Sequence, residues 1–197
     1  RGTYTVQAMV KQNNRRSELA LREMEFWTSI ALGKGWDGDT VRERSRAEAL
    51  WKQLLLQQFH DILPGSSIGR VYEEAEKAHE EVQAGAGEVT EEVLGRLTGS
   101  DRDRAVTVWN SFSFERTVLV RLPEAFGAGV RTLEGEPIPW ERTDACVKAL
   151  VTLPACGAVS LVPLEEKNQD KTGTDNHTGD LQVTVSRIPE GFAMENR

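Results

Sequence analysis

The hydrophobic period of this chain changes once, near Gly99-Ser100, and that change limits each half to a different kind of structure. From about Ser17 to Leu97 the apolar residues recur every three or four positions, the spacing that gathers them on one face of a helix. Ala20, Met24, Trp27, Ile30 and Ala31 form the first stripe, which Gly33 to Gly38 (GKGWDG) should end. Asp39 or Thr40 is placed to cap a second helix with Ala47, Leu50, Trp51, Leu54 and Leu55 on its inner face. A third stripe, Val71, Ala75, Ala78 and Val82, is expected to break at Gly85 and Gly87 and to resume at Val89, Val93, Leu94 and Leu97. Three such stripes joined by short turns predict a three-helix bundle.

Beyond Ser100 the pattern becomes short, β-branched runs. Ala105–Trp109, Thr117–Arg121, Cys146–Leu153 and Ala158–Leu164 read as strands, separated by turn residues such as Asn110-Ser111, Gly135-Glu136-Pro137 and Pro154 to Gly157. The expected fold class is therefore α+β, a three-helix bundle followed by an antiparallel β-sandwich left incomplete where the sequence stops. Residues 165–180, EEKNQDKTGTDNHTGD, hold no apolar side chain to offset ordering entropy, so an exposed, mobile loop is expected there. The chain opens without a methionine and stops at AMENR within a strand-like run, which reads as a piece of a longer protein.

Composition excludes some functions. A net charge of −7 argues against a nucleic-acid partner, because phosphate binding needs a basic face. No apolar run approaches the ~20 residues of a membrane span. Cys146 and Cys156, ten residues apart, match neither a disulfide framework nor zinc-ligand spacing, and are expected to be free and buried. The acidic positions of the third helix, from Glu73 to Glu81, read as a solvated face, and Asp101 and Asp103 as an interdomain linker. Gly127, Gly129 and Gly135 form no phosphate loop, and Trp27, Trp36, Trp51, Trp109 and Trp140 are assigned mainly to packing.

Chemistry concentrates in Leu54–Ile68, LLLQQFHDILPGSSI. The helix runs out at Phe59-His60-Asp61 and turns at Pro64-Gly65, and Ser66 and Ser67 are placed to cap the next helix. An imidazole and a carboxylate beside a fixed turn suit a metal or polar ligand. A bland alternative is a helix-end histidine favoured by the dipole, next to a solvated turn carboxylate. A single histidine is at most a quarter of a zinc site, and neither His79 in the third helix nor His177 in the polar loop has ligand spacing.

QFHDILPGSSI, preceded by LWKQLLL, resembles the central motif of glycoside hydrolase family 38, the class II α-mannosidases. RGTYTVQAMVKQNNRRSE resembles the point where that family's catalytic barrel passes into a helical domain. AVTVWNSFSFERTVLVRLP, with Asn110, Phe112, Phe114 and Arg116 in an N-x-hydrophobic-x-hydrophobic-x-R pattern, resembles the first strands of the β domain that follows. PIPWE and VTLPACGAVSLVPL resemble later strands of that domain.

The resemblance implies residues 1–16 as the tail of a largely missing catalytic barrel, 17–100 as the bundle and 101–197 as the β domain. It implies an enzyme with a zinc ion held by two histidines and two aspartates, in which His60 is one ligand and Asp61 contacts the sugar. Phe59 departs from members that carry a second histidine at its position. Zinc on vicinal mannose hydroxyls, with an aspartate nucleophile and a separate acid, would give retaining hydrolysis of an α-mannoside or glycan. None of those catalytic residues is expected within this chain, which should be inactive without the missing catalytic domain. The rival reading is a non-catalytic carbohydrate-binding or partner-docking module. An oligomer is left open, and the low cysteine count suggests a cytoplasmic enzyme of bacterial type.

Overall fold

The computed structural model describes residues 5–36, 38, 40–98, 105–144, 146–164, 183–188 and 191–196, without side-chain detail at 40, 41 and 183–196. The polar stretch 165–180 and the linker carboxylates Asp101 and Asp103 lie outside that set. The chain divides into two compact units, Arg1–Leu97 and Thr98–Arg197. Among the described residues no helix is long and apolar enough to cross a membrane.

The first unit is the three-helix bundle, with α1 at Ala8–Gly33, α2 at Thr40–Gln57 and α3 at Gly69–Thr98. Helix α1 starts nine residues before the apolar stripe suggested. Its buried face runs Val10, Asn14, Ser17, Ala20, Leu21, Met24, Trp27 and Ala31, a helical spacing in which Asn14 and Ser17 are polar. An apolar count passes over Asn14 and Ser17, so part of the segment assigned to a barrel tail is the first two turns of the bundle. The helix ends as its glycines indicate. Gly35 donates to the Leu32 carbonyl and Trp36 to that of Ala31, both at 3.0 Å, with Gly35 at φ +88°.

Helix α2 buries a narrower face than expected. Leu54 and Gln57 are buried, whereas Leu55 is 56% exposed. Leu55 lies one position, about 100° of helix rotation, from Leu54, and that step takes it off the seam. Helix α3 runs unbroken through Gly85 and Gly87. A Cβ at Gly85 would lie 3.0 Å from Cδ2 of Leu50, so this glycine admits the facing helix instead of ending its own. Ser66 and Ser67 donate their hydroxyls back to Asp61, not forward to α3.

The second unit holds two antiparallel sheets. Its strands are β1 (Val106–Asn110), β2 (Arg116–Leu122), β3 (Val130–Thr132), β4 (Trp140–Arg142), β5 (Val147–Leu153), β6 (Gly157–Pro163), β7 (Val183–Ile188) and β8 (Gly191–Asn196). Among the described residues the orders are β3-β6-β1-β8-β7 and β2-β5-β4. On β5, Val147, Ala149, Val151 and Leu153 point inward while Leu150 and Thr152 point out, the alternation of a half-buried strand. With Val120 and Leu122 of β2, they meet Val106 and Val108 of β1, Val130 of β3, Leu161 of β6 and Phe126 in one core.

The segment after β3 switches sheets. Ile138 donates to Val130 in the first sheet (3.0 Å), and Leu150 of the second donates to Pro139 (2.9 Å). The corner between β1 and β2 is held by side chains. Buried Asn110 donates to the carbonyls of Phe114 and Pro154, each at 2.9 Å, and accepts from the Phe112 amide at 3.2 Å. The Arg116 guanidinium lies 4.5 Å from the Phe112 ring centroid. The two thiols are free but not buried as expected. Cys146 is half-buried, and Cys156 is exposed at the β5–β6 turn with φ +47°.

Adjacent leucines on α2 test this packing. Leu54→Ala should lower the unfolding free energy of the bundle by about 2–5 kcal/mol, the cost of a large-to-small core change. Leu55→Ala should stay within about 0.5 kcal/mol of the parent. Urea unfolding followed at 222 nm checks both, and equal losses would place Leu55 on the seam.

Candidate functional site

His60 and Asp61 do not lie in the last helical turn. Helix α2 ends at Gln57, and the pair sits in the run of turns over 58–65. Those turns are local: Ile62 and Leu63 both donate to the Phe59 carbonyl, at 2.9 and 3.1 Å, and Gly65 donates to that of Ile62 at 3.1 Å. Gly65 sits at φ +94°, and a Cβ there would lie 2.9 Å from both Cγ1 and the backbone oxygen of Val6. Only glycine meets both the dihedral and the space. The Asp61 carbonyl accepts from Ser67 Oγ at 2.6 Å and from Ser66 Oγ at 3.4 Å, which ties the turn's exit to the site residue.

The two side chains point outward. His60 is 76% and Asp61 55% exposed, with His60 Nε2 3.4 Å from Asp61 Oδ2. The Phe59 ring packs on the imidazole, centroids 4.2 Å apart and tilted by 49°. Asp61 Oδ1 also faces Ser66 Oγ at 3.3 Å. This leaves an accessible imidazole nitrogen and carboxylate oxygen side by side, the donor types zinc takes, at half or fewer of the positions it needs. The pair therefore fits zinc as part of a site. Among the described residues no group of three His, Cys, Asp or Glu could hold a metal ion. His177 lies outside the described residues.

His79 is the opposite case. It is fully buried on α3, with Nδ1 3.1 Å from Ser17 Oγ of α1. Gln83 Nε2 donates to the same hydroxyl at 3.3 Å. His79 Nε2 is buried without a partner among the described residues. Sequence reasoning found no role for this histidine. Its place at the α3 spacing Ala75, His79, Val82 is the signal that marks it as a core residue.

The comparisons agree on what bears this turn. Residues 1–97 match the family model described as alpha mannosidase middle domain, which makes the first unit a glycosidase middle domain. The chain is 30% identical over 128 residues to mouse Alpha-mannosidase 2C1, covering 64% of this chain and 12% of that protein. It is 37% identical over 102 residues to Alpha-mannosidase G of Dictyostelium discoideum, covering 51% and 9% respectively. A solved glycosyl hydrolase family 38 protein from Enterococcus faecalis shares the fold, with a TM-score of 0.60 at 17% identity, over 87% of this chain and 26% of that one. The first unit matches the alpha mannosidase middle domain along its whole length, and the chain is similar to alpha-mannosidases over half or more of its residues. It spans about an eighth of the length of the mouse relative and about a quarter of the Enterococcus protein.

The buried histidine gives a pH test. Burial holds the His79 pKa below its ordinary 6.5. Between that lowered value and 6.5 the unfolded chain binds more protons than the folded one. Stability from this group is therefore complete above pH 6.5 and is lost as pH falls through the folded value. Urea midpoints followed at 222 nm from pH 7.5 to 5 should drop for the parent and less for His79→Gln. Parallel curves would show that His79 does not titrate with unfolding.

Proposed function

We propose that this chain is the middle region of a zinc-dependent retaining α-mannosidase, to which it contributes one metal ligand and one wall of the active site. His60 supplies an imidazole to zinc, and Asp61 contacts the mannose ring. The observation that carries the reading is the exposed His60-Asp61 pair, 3.4 Å apart on a glycine-locked turn of the matched middle domain. A histidine kept only for packing would look like His79, buried and hydrogen-bonded within the bundle.

When bound, zinc supplies a Lewis acid for two vicinal sugar hydroxyls. The chain's own residues do the holding. The backbone turns over 59–65 fix where the imidazole stands, and the Phe59 ring limits its rotation. Asp61, its carbonyl fixed by two serines, offers a carboxylate to a sugar hydroxyl beside the metal. The other ligands, the nucleophile and the acid belong to polypeptide beyond these 197 residues. The substrate is an α-mannoside or a mannose-bearing glycan, and this chain alone hydrolyses neither.

Metal content and rate separate the two roles in the full-length enzyme. His60→Ala should lose zinc and turnover together, with partial rescue by excess zinc. Asp61→Asn should keep zinc and lose turnover through poorer substrate placement, without rescue. Neither should shift the unfolding midpoint of the bundle, because both side chains are largely solvated. Full zinc and near-normal turnover in His60→Ala would make the histidine structural and end this reading.

A further inference from the structure

The turn that carries His60 and Asp61 is gripped at both ends by side chains of α1 that belong to no part of the motif. At its entrance, Gln58 Nε2 donates to Glu18 Oε1 at 3.1 Å. The same oxygen accepts from Asn14 Nδ2 at 2.8 Å, and Glu18 Oε2 accepts from Arg15 Nη1 at 3.1 Å, so the carboxylate is itself held. At the exit, Lys11 Nζ donates to the Pro64 carbonyl at 3.3 Å and to the Val6 carbonyl at 2.7 Å. The Val6 oxygen is also the atom against which Gly65 closes. Lys11, Asn14 and Glu18 are spaced three and four apart, so they form one polar stripe along α1.

We infer that Lys11 and Glu18 are positioning residues for the His60-Asp61 pair, acting through the two ends of its turn. The inference rests on the proposed role of His60 as a zinc ligand. A site ligand must be held within about 0.5 Å of its working place. The exposed imidazole has little packing of its own to do this, with Phe59 as its one ring contact among the described residues. The remaining restraint comes from the backbone, and α1 supplies it at Gln58 and Pro64. Neither Lys11 nor Glu18 touches metal or sugar. Each fixes the frame from which the ligand reaches.

The test uses the full-length enzyme with Lys11→Met, Glu18→Ala, their conservative counterparts Lys11→Arg and Glu18→Gln, and His60→Ala. Zinc loss to a chelator, kcat and KM, thermal midpoint and hydrogen exchange of the Phe59–Gly65 amides are followed. Lys11→Met and Glu18→Ala should speed zinc loss about 10–100-fold, the range for losing support behind a ligand. Exchange in the turn should quicken and kcat should fall, with the bundle's thermal midpoint nearly unmoved. Lys11→Arg keeps a donor and Glu18→Gln keeps an acceptor for Gln58, so both should restore zinc retention. Faster exchange with zinc retention and kcat unchanged would overturn the positioning role, while zinc loss in His60→Ala would leave the ligand assignment standing. A loss of zinc that tracks a fall in thermal midpoint, and that the conservative variants fail to restore, would also overturn it. Zinc retained in His60→Ala would instead defeat the ligand assignment itself.

Discussion

The closure of Gly65 on Val6 is the contact on which the first unit's site depends. With φ at +94° and a hypothetical Cβ only 2.9 Å from a backbone oxygen, the position admits no side chain without moving the main chain. A clash with the tip of a flexible side chain could be relieved by a rotamer change. A backbone oxygen at the entrance of α1 has no such freedom. The reversal between α2 and α3 is therefore registered against α1, and the residues inside the reversal inherit that registration. His60 and Asp61 stay exposed and still have a defined place, because their order comes from the backbone around them.

The two described histidines show how environment divides one residue type between two jobs. His79 is enclosed by α1 and α3, hydrogen-bonded to Ser17 and held neutral by the cost of charging a buried group. It holds two helices at one level, because a hydrogen bond has reach and direction where an apolar contact has neither. His60 stands in solvent beside a carboxylate, where a ligand can approach. A metal site in this unit could use only the second kind.

Much of this was legible in the sequence, and the misses share physical causes. Four strand cores, at β1, β2, β5 and β6, were read to within a residue of their ends because alternation and turn residues mark both boundaries. Strand β3 has three residues, too few to show a period. The start of α1 was hidden because the two buried positions that follow Val10, Asn14 and Ser17, are polar and interrupt the apolar stripe. Gly85 read as a breaker because sequence shows the missing side chain but not the leucine of α2 that fills the space. Leu55 was placed inside because an apolar pair looks alike to a periodic count, although one helix step separates seam from solvent. Ser66 and Ser67 fit the capping preference, but the nearer Asp61 carbonyl took their hydroxyls. The His-Asp pair itself was visible, whereas its supports Lys11 and Glu18 were not, because they lie more than 40 positions away in sequence.

A family pattern bears on function only where the fold leaves its residues unused. The pattern from Asn110 to Arg116 also resembles the family, less specifically than the His-Asp motif, and the fold consumes it. Asn110 spends its amide on two carbonyls and an amide at the β1–β2 corner, and Arg116 stacks on Phe112. Replacing either would disturb the sandwich before it touched any chemistry. The side chains of His60 and Asp61 meet each other, one aromatic ring and one serine hydroxyl, and otherwise face outward. The bundle gains almost nothing from an imidazole there, since the side chain is 76% exposed and buries little surface. A polar pair that the fold does not need, held in place by contacts the fold does need, is the arrangement that the proposed wall of a shared active site would require.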